Sequence, residues 1–195
     1  MQIKKLDLPG LLLLTPRVFE DSRGQFSETF NARTFKDATG LDIDFVQDNE
    51  SFSRFANTIR GLHFQTPPHA QSKLFRVISG RVIDVAVDIR MGSPTFGQSV
   101  SLQLSGDRAE QVFVPKGFLH GFRTLEPDTR VAYKVDAFYS PDCDRSIQYN
   151  DPAIACDWGL STGDEVHLSD KDQNARPFSD AEGIFTYEGP EGATR

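Results

Sequence analysis

The sequence predicts an all-β fold of short strands: a sandwich, jelly roll or barrel. Three observations lead there. Within residues 73–90, Ile83, Val85, Val87 and Ile89 alternate with Asp84, Ala86 and Asp88, the period-two signature of a strand. Similar short runs recur at Val100, Leu102 and Leu104, at residues 111–114, and at Val131, Tyr133, Val135 and Ala137, with Gly and Pro turn residues between them. Phenylalanine is abundant, 16 in 195 residues, which favours a β-rich core.

In chain order, residues 11–14 form a first buried strand. Asp21, Ser22 and Gly24 make a turn within residues 19–26, and residues 27–30 continue as strand. Asn31 caps a helix over residues 31–39, with Ala32, Phe35 and Ala38 on one face and Gly40 ending it. Residues 43–47 return to extended structure. Ser79-Gly80 marks a hairpin turn before the alternating run. Past Pro152 the pattern weakens. The whole chain, 1–195, reads as a single domain with residues 186–195 as a mobile tail.

The net charge of -7 argues against DNA or RNA as a partner, although a pocket can still be locally basic toward a small anion. Cys143 and Cys156 have neither metal-type spacing nor a disulfide framework around them, so they read as reduced structural thiols. The run Leu11 to Leu14 is too short for a secretory core or a membrane span, and the chain is expected to be cytoplasmic.

The chain has four histidines, His63, His69, His120 and His167. Pro115-Lys116-Gly117-Phe118-Leu119-His120 resembles the second motif of cupin barrels. The first cupin motif expects a His-x-His pair, whereas this chain has His63-Phe64-Gln65, so no metal site is expected. That leaves acid–base chemistry. His63 can accept a proton near neutral pH, with Asp170 or Asp172 as the acid that orients it. Lys73, at the start of a strand, can stabilise an enolate oxygen. Tyr133 can donate a proton from the opposite side, as inversion of a stereocentre requires. Arg23 and Arg60, each beside glycine, suit phosphate. Gln47-Asp48-Asn49 offers groups that read a base or sugar hydroxyls. Arg60 and His63 fall on opposite faces of an ideal strand, so a bulge or strand end near Gly61 is required for both to serve one pocket.

Several of these stretches occur together in one known family. Phe45-Val46-Gln47-Asp48-Asn49, Arg60-Gly61-Leu62-His63-Phe64-Gln65, Ala70-Gln71-Ser72-Lys73-Leu74, residues 84–90, residues 93–97, residues 115–122 and Leu168-Ser169-Asp170-Lys171-Asp172 resemble the dTDP-4-dehydrorhamnose 3,5-epimerase family, in order, over about residues 3–185. The resemblance implies a cupin-type double-stranded β-helix, or jelly roll, with a few short peripheral helices. It implies a homodimer without metal or organic cofactor, acting on dTDP-4-dehydro-6-deoxy-D-glucose to give dTDP-4-dehydro-L-rhamnose. By motif position, His63 corresponds to the proton acceptor, Asp172 to its partner, Tyr133 to the proton donor and Lys73 to the group facing the C4 carbonyl. Arg60, His120, Gln47, Asp48, Asn49 and Lys171 correspond to substrate contacts. Arg23 and Glu28 correspond to residues that reach the neighbouring subunit's site. Asp144 stands where the family often has glutamate. Two other readings of the same residues remain at this point. One is an enzyme inverting C3 or C5 alone, or a 3,4-ketoisomerase, and the other is a sugar-nucleotide-binding cupin without activity.

Overall fold

The computed structural model describes residues 1–189. Its strands, in chain order, are β1 (Gln2–Lys5), β2 (Leu12–Thr15), β3 (Val18–Asp21), β4 (Gly24–Ser27), β5 (Gln47–Ser53), β6 (Ile59–Gln65), β7 (Lys73–Ser79), β8 (Arg81–Asp88), β9 (Arg90–Met91), β10 (Ser99–Ser105), β11 (Gln111–Val114), β12 (Phe118–Thr124), β13 (Thr129–Val135), β14 (Asp144–Ser146) and β15 (Phe185–Thr186). Six of them form one sheet in the order β1-β2-β11-β7-β13-β5, and five form a second, β10-β8-β12-β6-β14. Every pairing within these two sheets is antiparallel. The two sheets face each other as the jelly roll that the alternating runs predict.

A first apolar core joins the sheets, with Phe75, Val77 and Val131 from one side and Val82, Ala86 and Phe122 from the other. A second covers the outer face of the five-stranded sheet. There Val85, Val87, Ile89 and Leu119 pack under Ile147, Ile154, Trp158 and Phe178. The stretch past Pro152, with little regular pattern, is thus the lid of that second core. This explains β8: alternation ordinarily marks one wet face, but the faces bearing Val85 and Val87 and bearing Asp84 and Asp88 are both buried. Buried carboxylates need partners. Asp88 finds Arg90, Ser93 and Thr95, and Asp84 finds His120.

Some local expectations shift. The turn within residues 19–26 is the tip of a hairpin, and its second strand ends at Ser27, so residues 28–30 are not strand. The helix, α1 (Ala32–Thr39), is capped by the Asn31 side chain and ended by Gly40 in the left-handed region, as read. Of its expected apolar face only Phe35 is buried. Ala32 and Ala38 are exposed, because the helix docks through one ring set among Phe30, Phe45 and Phe113. Extended structure begins at Gln47 rather than Ile43. The expected tail begins later than residue 186, since Thr186 pairs with Met91 and the Tyr187 N–H donates to the Met91 carbonyl. Residues 190–195 of that tail lie outside the described residues. No helix among the described residues is long and apolar enough to cross a membrane.

Candidate active site

The bulge required near Gly61 is present. His63 pairs with His120 and Arg60 with Phe122, so three steps along β6 match two along β12. One extra residue reverses the side-chain alternation and puts Arg60 and His63 on the same face. Gly61 makes this possible. Its φ is +128°, and a Cβ there would lie 2.6 Å from the Gly121 Cα and 2.9 Å from the His120 carbonyl oxygen. The two backbones meet at glycines, and the two histidines stand opposite each other beside that contact.

Between the sheets, Arg60, His63, Lys73, His120, Phe122, Tyr133, Ser169 and Asp172 line a cavity of about 320 Å³, within the usual range for a small-molecule site. The five-stranded sheet supplies Arg60, His63 and His120, and the six-stranded sheet supplies Lys73 and Tyr133. Asp172 arrives on a one-turn helix, α2 (Asp170–Gln173), capped by Ser169.

His63 Nε2 lies 2.5 Å from Asp172 Oδ1, which settles the choice between the two aspartates. Asp172 is 3% exposed and His63 30%, so the acid is enclosed while the imidazole opens to the cavity. Burial works against ionisation of Asp172. The hydrogen bond and charge of His63, the Ser169 hydroxyl and the Lys171 charge outweigh it and hold the carboxyl below its ordinary value. An ionised carboxylate only accepts, so Nε2 carries the ring proton and Nδ1 presents the lone pair.

Lys73 reaches across the gap, its Nζ donating to the His63 carbonyl at 3.3 Å. Burial pushes its pKa down to about 8, while Asp144 and Asp84 raise it and Lys171 lowers it further. Burial also pushes the Tyr133 phenol up, with Arg60 opposing and Asp144 adding to the rise, so the phenol keeps its proton at neutral pH and can give it away. The His63 imidazole and the Tyr133 phenol thus line one cavity from opposite sheets.

The remaining expected residues are placed as follows. Arg60 is anchored by Ser53 Oγ at 3.1 Å and the Phe52 carbonyl at 3.0 Å. His120 is buried and bonds Asp84 at 2.8 Å. Gln47 and Asn49 bond each other on the face of β5 shared with Ser51 and Ser53. Asp48, one step along, turns to the other face of β5 and pairs with Lys134, and none of Gln47, Asp48 and Asn49 is in the lining of this cavity. At the rim, Asp144 accepts from Lys171 Nζ at 2.5 Å and from the Tyr139 hydroxyl at 3.2 Å. Arg23 and Glu28 are not brought to the cavity. Arg23 is 88% exposed on the β3–β4 hairpin, paired to Asp21, and Glu28 accepts from Asn31 beside α1. His167 stacks on Phe55, away from the cavity. Among the described residues no group of three or more His, Cys, Asp or Glu stands together to hold a metal ion.

The sequence reading missed Ser51, Ser53, Asp84, Phe122 and Ser169. Period-two counting from Gln47 finds the first two, and the spacing of Ser169 to Asp172 is a helix-capping signature. Ser51 Oγ is buried and has no partner among the described residues.

The family model for dTDP-4-dehydrorhamnose 3,5-epimerase matches residues 5–180. The chain belongs to that family. It is 43% identical over 182 residues to a dTDP-4-dehydrorhamnose 3,5-epimerase from Shigella flexneri, covering 93% of this chain and 98% of the relative. The crystal structure of the Legionella pneumophila enzyme RmlC, in complex with dTDP-4-keto-L-rhamnose, has a TM-score of 0.90 at 42% identity, covering 96% and 99% of the two chains. ChmJ, a 3'-monoepimerase from Streptomyces bikiniensis solved with dTDP-quinovose, is more distant: TM-score 0.85, 29% identity, with 96% and 94% covered. The epimerase is thus an isomerase of the sugar-nucleotide type, built on the jelly roll described above.

Proposed function

We propose that this epimerase inverts C3 and C5 of dTDP-4-dehydro-6-deoxy-D-glucose, giving dTDP-4-dehydro-L-rhamnose for dTDP-L-rhamnose synthesis. The observation that carries the reading is the placement of His63 and Tyr133 on facing sheets across one cavity. The C4 ketone acidifies the protons on C3 and C5. His63 Nδ1 takes each proton, and Asp172 stabilises the imidazolium that forms. The Lys73 ammonium faces the C4 oxygen and stabilises each enolate. Tyr133 then delivers a proton to the other face, so the centre is inverted rather than restored.

Arg60 and His120 hold the diphosphate and sugar, and the partnerless Ser51 hydroxyl offers a further bond to the sugar-phosphate end. Gln47, Asp48 and Asn49 serve the nucleotide side, with Asp144 and Lys171 at the rim. The reaction needs no metal or organic cofactor, because the ketone itself is the electron sink. The protein works as a cytoplasmic homodimer in which the β3–β4 hairpin reaches the neighbouring subunit. Arg23, Glu28 and the exposed Phe19 and Phe26 are the contacts that such an arm would bury.

Incubation with the 4-dehydro sugar nucleotide in deuterated water, followed by NMR, tests the reading. Deuterium at both C3 and C5 is the expected result. Deuterium at one centre only would make this a single-centre epimerase, and none at either would remove catalysis.

A further inference from the structure

Asp172 has two carboxylate oxygens, and each is held differently. Oδ1 lies 2.5 Å from His63 Nε2. Oδ2 accepts from the Ser169 hydroxyl at 2.9 Å. The same hydroxyl oxygen accepts the Asp172 N–H at 3.2 Å and so caps α2. One serine thus fixes both the backbone and the carboxylate of the acid that orients the base. The arrangement is needed because α2 is a single turn, too short to hold its shape by its own hydrogen bonds. Its flanks are tied beside the five-stranded sheet by the bridges of His167 to Thr58 and of Arg176 to Ile147, while the turn itself meets the sheet through polar groups, Asp172 on His63 and Lys171 on Asp144 of β14.

We propose that Ser169 is a positioning residue of the epimerase, whose hydroxyl donates to Asp172 Oδ2 and thereby directs Oδ1 at His63. The proposal rests on the reading of His63 as the base. Without the donor, the carboxylate rotates about its χ2, which has a broad, weakly restricted profile. His63 then loses the partner that fixes which nitrogen carries the proton. The hydroxyl is already engaged twice by Asp172, through the carboxylate and the backbone N–H, so the effect of its loss is expected on turnover. Ser169 is itself exposed at the residue level, so truncating it opens no cavity in the core.

Four variants test the proposal. Ser169→Ala removes both donor and cap. Ser169→Thr keeps both. Ser169→Asp keeps a good cap but replaces the donor with a second carboxylate. His63→Ala reports on the base itself. The expected result is a kcat lowered about 10- to 100-fold in Ser169→Ala with KM within about two-fold of wild type. Ser169→Thr recovers most of that kcat. In Ser169→Asp, kcat stays low although the melting temperature exceeds that of the alanine variant. The downfield proton resonance of the His63 ring N–H weakens in the alanine and aspartate variants and persists in the threonine variant. Wild-type kcat in Ser169→Ala, or recovery by Ser169→Asp, would overturn the proposal and leave Ser169 as a helix cap. Exchange persisting in His63→Ala would instead overturn the assignment of the base, whatever the serine variants show.

Discussion

Two histidine–aspartate pairs face the same cavity from neighbouring strands, and they are built differently. His63 and His120 are directly paired across β6 and β12. His120 is 6% exposed, and its aspartate, Asp84, is on a core strand with 1% exposed. The Phe75 ring packs edge-on against the His120 ring, 5.1 Å away. His63 is 30% exposed, and its aspartate comes from a one-turn helix at the rim. Proton transfer needs a nitrogen that reaches the substrate and an acid held on the other nitrogen of the same ring. Rigid binding needs a ring that does not move. In the proposed mechanism the pairing by strand and by helix divides these tasks between two chemically identical couples.

The sharpest way to break the comparison is to remove each aspartate. Asp172→Ala should lower kcat about 1000-fold, because the base loses orientation and charge stabilisation, while the melting temperature moves little. Asp84→Ala should do the reverse. The unpaired buried His120 ring costs about 1–3 kcal/mol of stability, read from denaturant unfolding, and kcat falls only about 10-fold. Equal activity losses in the two variants would erase the distinction.

A further loss is expected from the acid on the other sheet. Tyr133→Phe should lower product formation about 100-fold. It should leave deuterium exchange with retained configuration at C3, since His63 can return a solvent proton to the face it took one from. NMR of recovered substrate checks this.

Lys73 gives a pH signature. Its ammonium is the form that stabilises the enolate, so kcat/KM should fall as pH rises through about 8, the value to which burial lowers its pKa. Stability should run the other way. Between about 8 and the ordinary 10.5 the unfolded chain holds the proton that the folded chain has released, so stability rises with pH. Lys73→Met should abolish both trends and cost about 100- to 1000-fold in rate. The smallest effect expected is that of Ser51→Ala, a rise in KM of about five-fold from one lost neutral hydrogen bond.

The strands rich in valine and phenylalanine were legible in the sequence, because burial on a pleated surface imposes their period. So were the capped helix and the need for a break at Gly61. β5 was not legible as a strand. Its residues, Gln47 to Ser53, are polar apart from Phe52, and on the inward face Ser51 lines the cavity rather than a core. The same alternation that hid it turns Asp48 outward. The choice of Asp172 over Asp170 was also closed to the residues alone. Neighbours on one turn of helix point about 100° apart per residue, and only the docking of α2 decides which meets His63. Asp84 was visible as part of an alternating run, yet it shares the inward face of β8 with Val82 and Ala86, and its burial depends on the facing six-stranded sheet, which no local pattern reveals.

The central claim is that one pair takes both protons. It is tested most directly by deuterium incorporation at C3 and C5 in His63→Ala and His120→Ala, measured by NMR beside dTDP binding. The account predicts no exchange at either centre in His63→Ala, with dTDP still bound. It predicts slower exchange at both centres in His120→Ala. Loss of exchange at only one centre in each variant would contradict it and make the two pairs two bases.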